Sequence, residues 1–157
     1  INSERVEILK VTKASYQSEM PSILTEIAFE SKAYWDYPKE WLESWRPELT
    51  ITQSQILENH TLLLKVDDQI TGFTIVCDRG IFLEIDHFWL SPQFIGKGLG
   101  SQLMNSLLST IIPTKPLCAL ADPHAEAFYA KHGFQVIEQR ASSVPGRTLP
   151  WMERQNS

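Results

Sequence analysis

Three of the seven glycines in the chain fall within five residues, at Gly96, Gly98 and Gly100. An apolar, strand-like stretch precedes them and a stretch with helical apolar spacing follows, which places them at a strand-to-helix junction. Such a junction gathers unpaired backbone N–H groups at the positive end of the helix dipole, and glycine lets an anion come close to the backbone. The main chain over Ile95–Ser101 is therefore predicted to bind a phosphate or pyrophosphate. Lys97 either adds positive charge there or is a solvated loop lysine.

The spacing of these glycines separates the stretch from two commoner phosphate loops. A P-loop has the pattern G-x-x-x-x-G-K-S/T, but Lys97 is followed by Gly98. A dinucleotide fingerprint has the pattern G-x-G-x-x-G, and Ser101 stands where its third glycine belongs. The spacing therefore disfavours a nucleotide enzyme of either kind, and a glycine-rich turn without a ligand is the structural alternative.

Two carboxylates share one face of the strand-like stretch 81–90. Because side chains alternate along a strand, Glu84 and Asp86 point to one side and His87 to the other. Both faces are largely apolar, so the strand is expected at the centre of a sheet and covered on both sides. An ionised carboxylate in such a place is costly unless it is paired or faces a cleft. Each carboxylate is a candidate general base, and a salt bridge with a lysine or arginine is the alternative.

The glycine stretch and a second segment together resemble one known family. The three glycines fall on the glycine positions of the acyl-CoA pyrophosphate loop of the GNAT acetyltransferases, written R/Q-G-x-G-x-G/A. Ile95 stands where that family has Arg or Gln. The segment Asp122–Phe134 is similar to the GNAT segment that ends A-x-x-F-Y-x-K-x-G-F. The two motifs follow the family's order, and the resemblance covers residues 81–134.

The resemblance implies that acetyl-CoA is the cofactor. It implies direct transfer of the acetyl group from the thioester to a primary amine of a small molecule, a peptide or a protein. Family members often have Asn at the position of Asp122. The implied cofactor contacts are Phe88, Trp89, Leu90, Ile95, Gly96, Lys97, Gly98, Leu99, Gly100, Ser101, Asp122 and Phe128. The alternative is a non-catalytic module of this fold that binds and senses acyl-CoA.

The resemblance also suggests catalytic roles. Tyr129 matches the family tyrosine beside the thioester sulfur, so it is the candidate acid that protonates the leaving thiolate. Its alternative role is core packing, which suits Phe128 better. Glu84 matches the catalytic glutamate of histone-acetylating relatives, whereas Asp86 lies nearer the expected thioester. His87, or no protein base at all, is also left open.

Aromatic residues cluster in a segment that walls the acceptor site in GNAT proteins. Tyr34, Trp35 and Tyr37 are the candidate acceptor contacts, and Trp41 and Trp45 follow within twelve residues. Their ring faces could hold an organic cation. The alternative is packing of two short helices in the core.

The spacing of apolar and turn residues predicts the elements that position these groups. Ser18 is expected to cap a helix with Pro21 in its first turn, and Pro38 to open a second helix. Asp122 is expected to cap a helix that Gly133 ends. The predicted strands are 5–12, 61–66, 70–77, 81–90, 117–121, 134–140 and 149–153.

The order of these elements predicts an α/β (α+β) fold. Its sheet is mixed, mostly antiparallel and six- or seven-stranded, with helices on both faces. The length of 157 residues fits one domain. The resemblance makes that domain, over residues 1–157, a GNAT domain, and it adds a splayed central strand pair that admits the pantetheine arm. It also makes a homodimer a possibility.

The net charge, the apolar runs and the cysteine content limit which binding partners are expected. The net charge of −5 argues against a nucleic-acid partner and suits a cationic small molecule or a basic peptide. No apolar run is long enough for a membrane helix, so no membrane partner is expected. Cys77 and Cys118 lack metal-like spacing, so no metal is expected. Their pattern is typical of reduced thiols in a cytoplasmic protein.

Overall fold

The computed structural model describes residues 4–111 and 114–155, so residues 112–113 and both ends of the predicted 1–157 domain lie outside it. Within those ranges the chain forms seven strands and five α-helices. In chain order the elements are β1 (Val6–Lys10), α1 (Met20–Ala33), α2 (Lys39–Leu49), α3 (Gln53–Glu58), β2 (His60–Val66), β3 (Gln69–Asp78), β4 (Leu83–Leu90), α4 (Leu99–Thr110), β5 (Leu117–Leu120), α5 (Glu126–Lys131), β6 (Gln135–Ala141) and β7 (Thr148–Arg154).

The strands form one mixed sheet in the order β1-β2-β3-β4-β5-β7-β6. β1 with β2, β5 with β7 and β6 with β7 pair antiparallel, and β4 with β5 pairs parallel, which confirms the predicted mixed, mostly antiparallel architecture. The chain divides into two compact units, and β3 and β4 run through both. The first unit comprises the described residues up to Ile75 together with His87–Ser109. The second comprises Val76–Asp86 and the described residues from Thr110 onward.

The first unit has its core around α1, the central strands and α4. α1 buries one face, and Leu24 and Ala28 are fully inaccessible, as are Phe73 of β3 and Leu103 of α4. The buried apolar residues of α1 and α4 are spaced three and four positions apart, the pattern that predicted both helices. β1 and β2 pair antiparallel, from Val6 opposite Val66 onward.

The second unit contains the parallel strand pair. β4 pairs with β5 over Leu83–Ile85 and Leu117–Ala119, and β4 then continues to Leu90. A pairing this short fits the splayed strand pair that the resemblance implied. β7 pairs antiparallel with both β5 and β6. Gly133, at φ +92°, follows α5 in the left-handed region, as a terminating glycine should.

Several local expectations are corrected. α1 has Glu19 at its N-cap with no side-chain cap, and the Ser18 hydroxyl donates to the Glu19 carboxylate instead. Asp122 was expected to cap the helix itself, but it caps a 3-10 turn, Pro123–Ala125, which lies between Asp122 and α5. Ile81 is 84% exposed and precedes β4. The strand predicted over 81–90 was therefore two residues too long at its start.

One helix was missed. α3 is six residues long, too short for apolar periodicity to reveal it. Thr52 and Gln55 form a reciprocal capping box at its start, with the Thr52 hydroxyl accepting from the Gln55 N–H at 3.2 Å. This box is the sequence signal that could have found it.

Candidate active site

The glycine loop belongs to the first unit and leads directly into α4. Gly96 and Gly98 have φ of +82° and +81°, in the left-handed region that side chains rarely adopt. A Cβ built on either would meet no atom within 4 Å, so the space above the backbone is open. The N–H groups of the first turn of α4 have no acceptor inside the helix. Conformation, space and donors therefore fit the pyrophosphate of an acyl-CoA.

Two neighbours of these glycines contribute differently. Ile95 is half-buried with an extended backbone and offers no polar side-chain atom to a phosphate. The ammonium of Lys97 lies 5.7 Å from the ring centre of Phe94 and is exposed. The backbone, rather than the side chain at position 95, is thus the donor that this loop offers.

The end of β4, also in the first unit, is shaped by a glycine that sequence reasoning missed. A Cβ on Gly72 of β3 would lie 2.6 Å from Leu90 Cδ2 and 2.8 Å from the carbonyl oxygen of Trp89. Only glycine allows β3 to approach this closely. An isolated glycine inside a strand is itself a sign of close backbone approach, and that signal was present in the sequence. Gly72 therefore fixes the path of the predicted pantetheine-binding backbone, Phe88–Leu90.

His87 lies on the opposite face of β4 from the two carboxylates, and its ring is buried. Its Nδ1 accepts a hydrogen bond from Trp89 Nε1 at 3.0 Å. The Thr74 hydroxyl donates to the His87 carbonyl oxygen at 2.7 Å. These contacts give His87 a structural role in the strand.

The carboxylate cluster lies in the second unit and is organised by Arg79. Arg79 Nε donates to Glu84 Oε1 at 3.1 Å, and Arg79 Nη2 reaches both oxygens of Asp86 at 2.8 and 2.9 Å. The two acidic side chains are 22% and 23% exposed, so this face of β4 is partly open rather than covered. The salt-bridge alternative is therefore realised for both acids. Sequence reasoning left the cation of this salt bridge unnamed, because pairing Arg79 with these acids depends on the register of β3 against β4.

A thiol completes this cluster. Cys77 Sγ donates to Asp86 Oδ2 at 2.9 Å. Burial, reinforced by the Asp86 carboxylate, raises the pKa of Cys77 to about 12. Cys77 is therefore a neutral hydrogen-bond donor at physiological pH, not a nucleophile.

Tyr129 lies in α5 of the second unit and is buried. Its ring packs edge-on against Phe128 and against Phe134, at centroid distances of 5.6 and 5.1 Å. Burial raises the pKa of the phenol, and the charge of Asp122 raises it further. The phenol therefore remains a neutral O–H group, which is the form that can donate a proton.

The aromatic cluster after α1 already contains a cation. The Lys32 ammonium lies 4.4 Å from the ring centre of Trp45 and 5.2 Å from that of Tyr37. Trp45 is buried, and Tyr37 meets it edge-on at 5.0 Å. Core packing thus describes Trp45, whereas Tyr37 is half-buried and Tyr34 and Trp35 are exposed, with ring centres 4.9 Å apart.

A cavity of about 580 Å³ lies in the first unit beside the start of the glycine loop. Residues of α1, of the β2–β3 turn and of the segment after β4 line it, and among them are Glu26, Glu30 and Gln93. Burial raises the pKa of Glu30, and the neighbouring Glu26 carboxylate raises it further. This cavity was not predicted, and its acidic wall suits a cationic group.

The chain matches the family model for the acetyltransferase (GNAT) domain over residues 30–149. The chain belongs to the GNAT acetyltransferase family. It is therefore an N-acetyltransferase, and the resemblance read from its two motifs is confirmed. No curated protein sequence matches it significantly.

Solved structures share this GNAT fold at low identity. A GCN5-related N-acetyltransferase from Rhodopseudomonas palustris is 19% identical, with a TM-score of 0.73 over 95% of this chain and 94% of that one. PaiA N-acetyltransferase from Thermoplasma acidophilum, solved with coenzyme A, is 22% identical, with a TM-score of 0.68 over 96% and 99%. ElaA from Escherichia coli is 19% identical, with a TM-score of 0.70 over 96% and 100%.

Residues 4–111 and 114–155 contain no helix long and apolar enough to cross a membrane. The same residues contain no group of three or more His, Cys, Asp or Glu side chains arranged to hold a metal ion.

Proposed function

We propose that this chain transfers an acetyl group from acetyl-CoA directly to a primary amine. The observation that carries the proposal is the glycine loop, where Gly96 and Gly98 are left-handed and open at the start of α4. A backbone of this form presents N–H donors to a pyrophosphate without steric obstruction. The PaiA structure, which contains coenzyme A, supports the choice of cofactor.

The cofactor is held mainly by backbone. The loop Ile95–Ser101 binds the pyrophosphate, and the strand end Phe88–Leu90 pairs with the pantetheine arm. Asp122 and Phe128 are the further proposed contacts. When bound, acetyl-CoA supplies the activated thioester whose acetyl group is transferred. The family model spans parts of both compact units, so we propose that the chain acts as one catalytic domain.

Proton transfer requires a base as well as an acid. A lysine-like amine has a pKa near 10.4, so its neutralisation at pH 7 costs about 4–5 kcal/mol. Glu84 is the proposed base, because no described residue donates to its Oε2 while Arg79 pairs with Oε1. Asp86 is less suited, since both of its oxygens already accept hydrogen bonds. A water molecule can carry the proton from the amine to Glu84.

Tyr129 is the proposed acid. It donates its phenolic proton to the leaving thiolate, and the backbone N–H of Trp89 or Leu90 stabilises the developing oxyanion. The buried, neutral state of the phenol supports this role.

The acceptor is proposed to be an amine that carries further positive charge. The cavity bordered by Glu26 and Glu30 and the net charge of −5 support this class. The exposed rings of Tyr34 and Trp35 are the proposed aromatic contacts. Tyr37 is proposed as a peripheral contact of the acceptor, because the Lys32 ammonium already lies over its ring.

A thiol-release assay tests the proposal. Acetyl-CoA is incubated with the enzyme and with polyamines, aminoglycosides, amino acids or basic peptides, and free coenzyme A is measured. We expect amine-dependent release that is fastest with a cationic acceptor. Binding of acetyl-CoA without release in any arm would favour the sensing module instead, and absence of binding would refute both.

Two further properties remain predictions. The unpaired Cys77 and Cys118 favour a reducing, cytoplasmic location. A homodimer is common among GNAT proteins, and sedimentation of the purified chain would decide it.

A further inference from the structure

An arginine on the turn between β6 and β7 has its side chain withdrawn from water. The turn is closed by its own backbone, with Ser142 N–H donating to the Arg147 carbonyl at 2.8 Å and Arg147 N–H to that of Val144 at 3.1 Å. Pro145 and Gly146 at its tip are exposed, yet the Arg147 side chain is only 14% exposed. A guanidinium in such a place requires a partner, because an unpaired buried charge is costly.

One charged partner is Asp122, whose side chain is equally withdrawn at 14% exposure, and Arg147 Nη1 also donates to the Ser142 hydroxyl at 3.5 Å. Arg147 Nη2 lies 3.6 Å from Asp122 Oδ2. The other oxygen, Oδ1, accepts from the His124 N–H at 2.8 Å and lies 3.0 Å from His124 Nδ1. One carboxylate thus joins the β6–β7 turn to the 3-10 turn that leads into α5.

The same carboxylate is coupled to Tyr129 within the second unit. Tyr129 lies in α5, directly after the turn that Asp122 caps. The charge of Asp122 acts on the phenol and adds to the effect of burial on its pKa. A shift or exposure of Asp122 therefore changes both the start of this helix and the electrostatic surroundings of the phenol.

We propose that Arg147 is a positioning residue, which holds Asp122 in place so that α5 presents Tyr129 in the geometry for proton donation. The proposal rests on the proposed function, because it assigns Arg147 to the acid of that reaction. Arg147 neutralises the carboxylate and fixes the turn, and it does not itself touch the reacting atoms.

The kinetic test compares Arg147→Met, Arg147→Lys and a matched control, Arg140→Met. Arg140 lies in β6, the strand that leads into the same turn, with its guanidinium 3.9 Å from the Trp151 ring centre and paired with Glu138. We expect Arg147→Met to lower kcat roughly tenfold, with Arg147→Lys restoring most of it and the control unchanged. Equal kcat in all four proteins would overturn the proposal.

A second arm separates positioning from general stability. In a Tyr129→Phe background, Arg147→Met should cause no further loss of kcat, because the group it positions is gone. A loss of the same size in both backgrounds would show that Arg147 acts elsewhere and would overturn the proposal.

Hydrogen exchange provides a readout that needs no acceptor. Amides of α5, Glu126–Lys131, should exchange faster in Arg147→Met and at the wild-type rate in Arg140→Met. Unchanged exchange would overturn the proposal even in an active enzyme. An inactive wild type with the expected exchange pattern would refute only the proposed function.

Discussion

Arg79 binds Asp86 through one nitrogen and both carboxylate oxygens, with Nη2 2.8 Å from Oδ1 and 2.9 Å from Oδ2. The same guanidinium binds Glu84 by a single contact, from Nε to Oε1. Cys77 adds a further donor to Asp86. The two carboxylates therefore differ in how much of each is available to a substrate proton, although they lie two residues apart on one strand face.

This difference predicts unequal effects of neutralising the two acids. Glu84→Gln should lower kcat/KM at pH 7 by about a hundredfold, the usual range for a general base. The deficit should shrink as the pH rises, because the amine then loses its proton unaided. The measurement is kcat/KM for the best acceptor between pH 6.5 and 10.

Asp86→Asn is the matched control for that experiment. It keeps the size of the side chain and should leave kcat/KM within about threefold of wild type. Equal losses in the two variants would assign the effect to the Arg79 cluster as a whole. An active Glu84→Gln enzyme at pH 7 would exclude Glu84 as the base.

Tyr129→Phe is predicted to lower kcat at least about tenfold without changing the affinity for acetyl-CoA. Burial raises the pKa of the phenol. Because the raised pKa keeps the proton on the oxygen to higher pH, wild-type kcat should not fall on the alkaline side up to about pH 10. An alkaline decline near pH 9 that disappears in Tyr129→Phe would contradict the structure.

The two thiols are predicted to be unreactive in the folded enzyme. Burial raises the pKa of Cys77 to about 12 and that of Cys118 to about 11. At pH 8 only roughly one thiol in a thousand or fewer is then a thiolate. An aromatic disulfide reagent should label neither cysteine until the protein is denatured. Rapid labelling of the native enzyme would contradict the burial of both.

Gly72→Ala is predicted to weaken acetyl-CoA binding through the backbone of β4. The new methyl would lie 2.8 Å from the Trp89 carbonyl oxygen, so the strand end must shift. The overpacking should cost about 1–3 kcal/mol of the free energy of unfolding. Thermal unfolding and the Kd for acetyl-CoA measure the two effects. An unchanged Kd would show that the strand end does not contribute to binding.

Local signals accounted for most of the fold. Alternation and apolar spacing located the strands and the long helices, and the glycine triplet marked the loop that proved left-handed at Gly96 and Gly98. These features depend on neighbours in sequence, and their patterns are therefore visible before folding. Ile81 is an exception, because its apolar side chain continues the strand pattern although the residue is exposed and precedes β4.

The contacts that organise the candidate site are not local and were not predicted. The pairing of Arg147 with Asp122 joins two segments that are distant in sequence. Neither segment contains a sequence pattern that identifies the other as its partner. The Arg79 contacts depend on the register of the β3–β4 hairpin. Gly72 was visible as an isolated strand glycine, but its consequence required the position of Trp89.

The backbone of the glycine loop is proposed to bind the pyrophosphate of acetyl-CoA, and this contact decides the proposed function. Gly98→Asp and Gly80→Asp introduce the same charged side chain at positive φ, +81° and +96°, and both face open space. They should therefore carry similar strain, and thermal unfolding of the two variants checks this. Titration calorimetry with acetyl-CoA should show binding weakened at least about a hundredfold, or about 2.7 kcal/mol, in Gly98→Asp and unchanged in Gly80→Asp. Wild-type affinity in a folded Gly98→Asp protein would contradict the account.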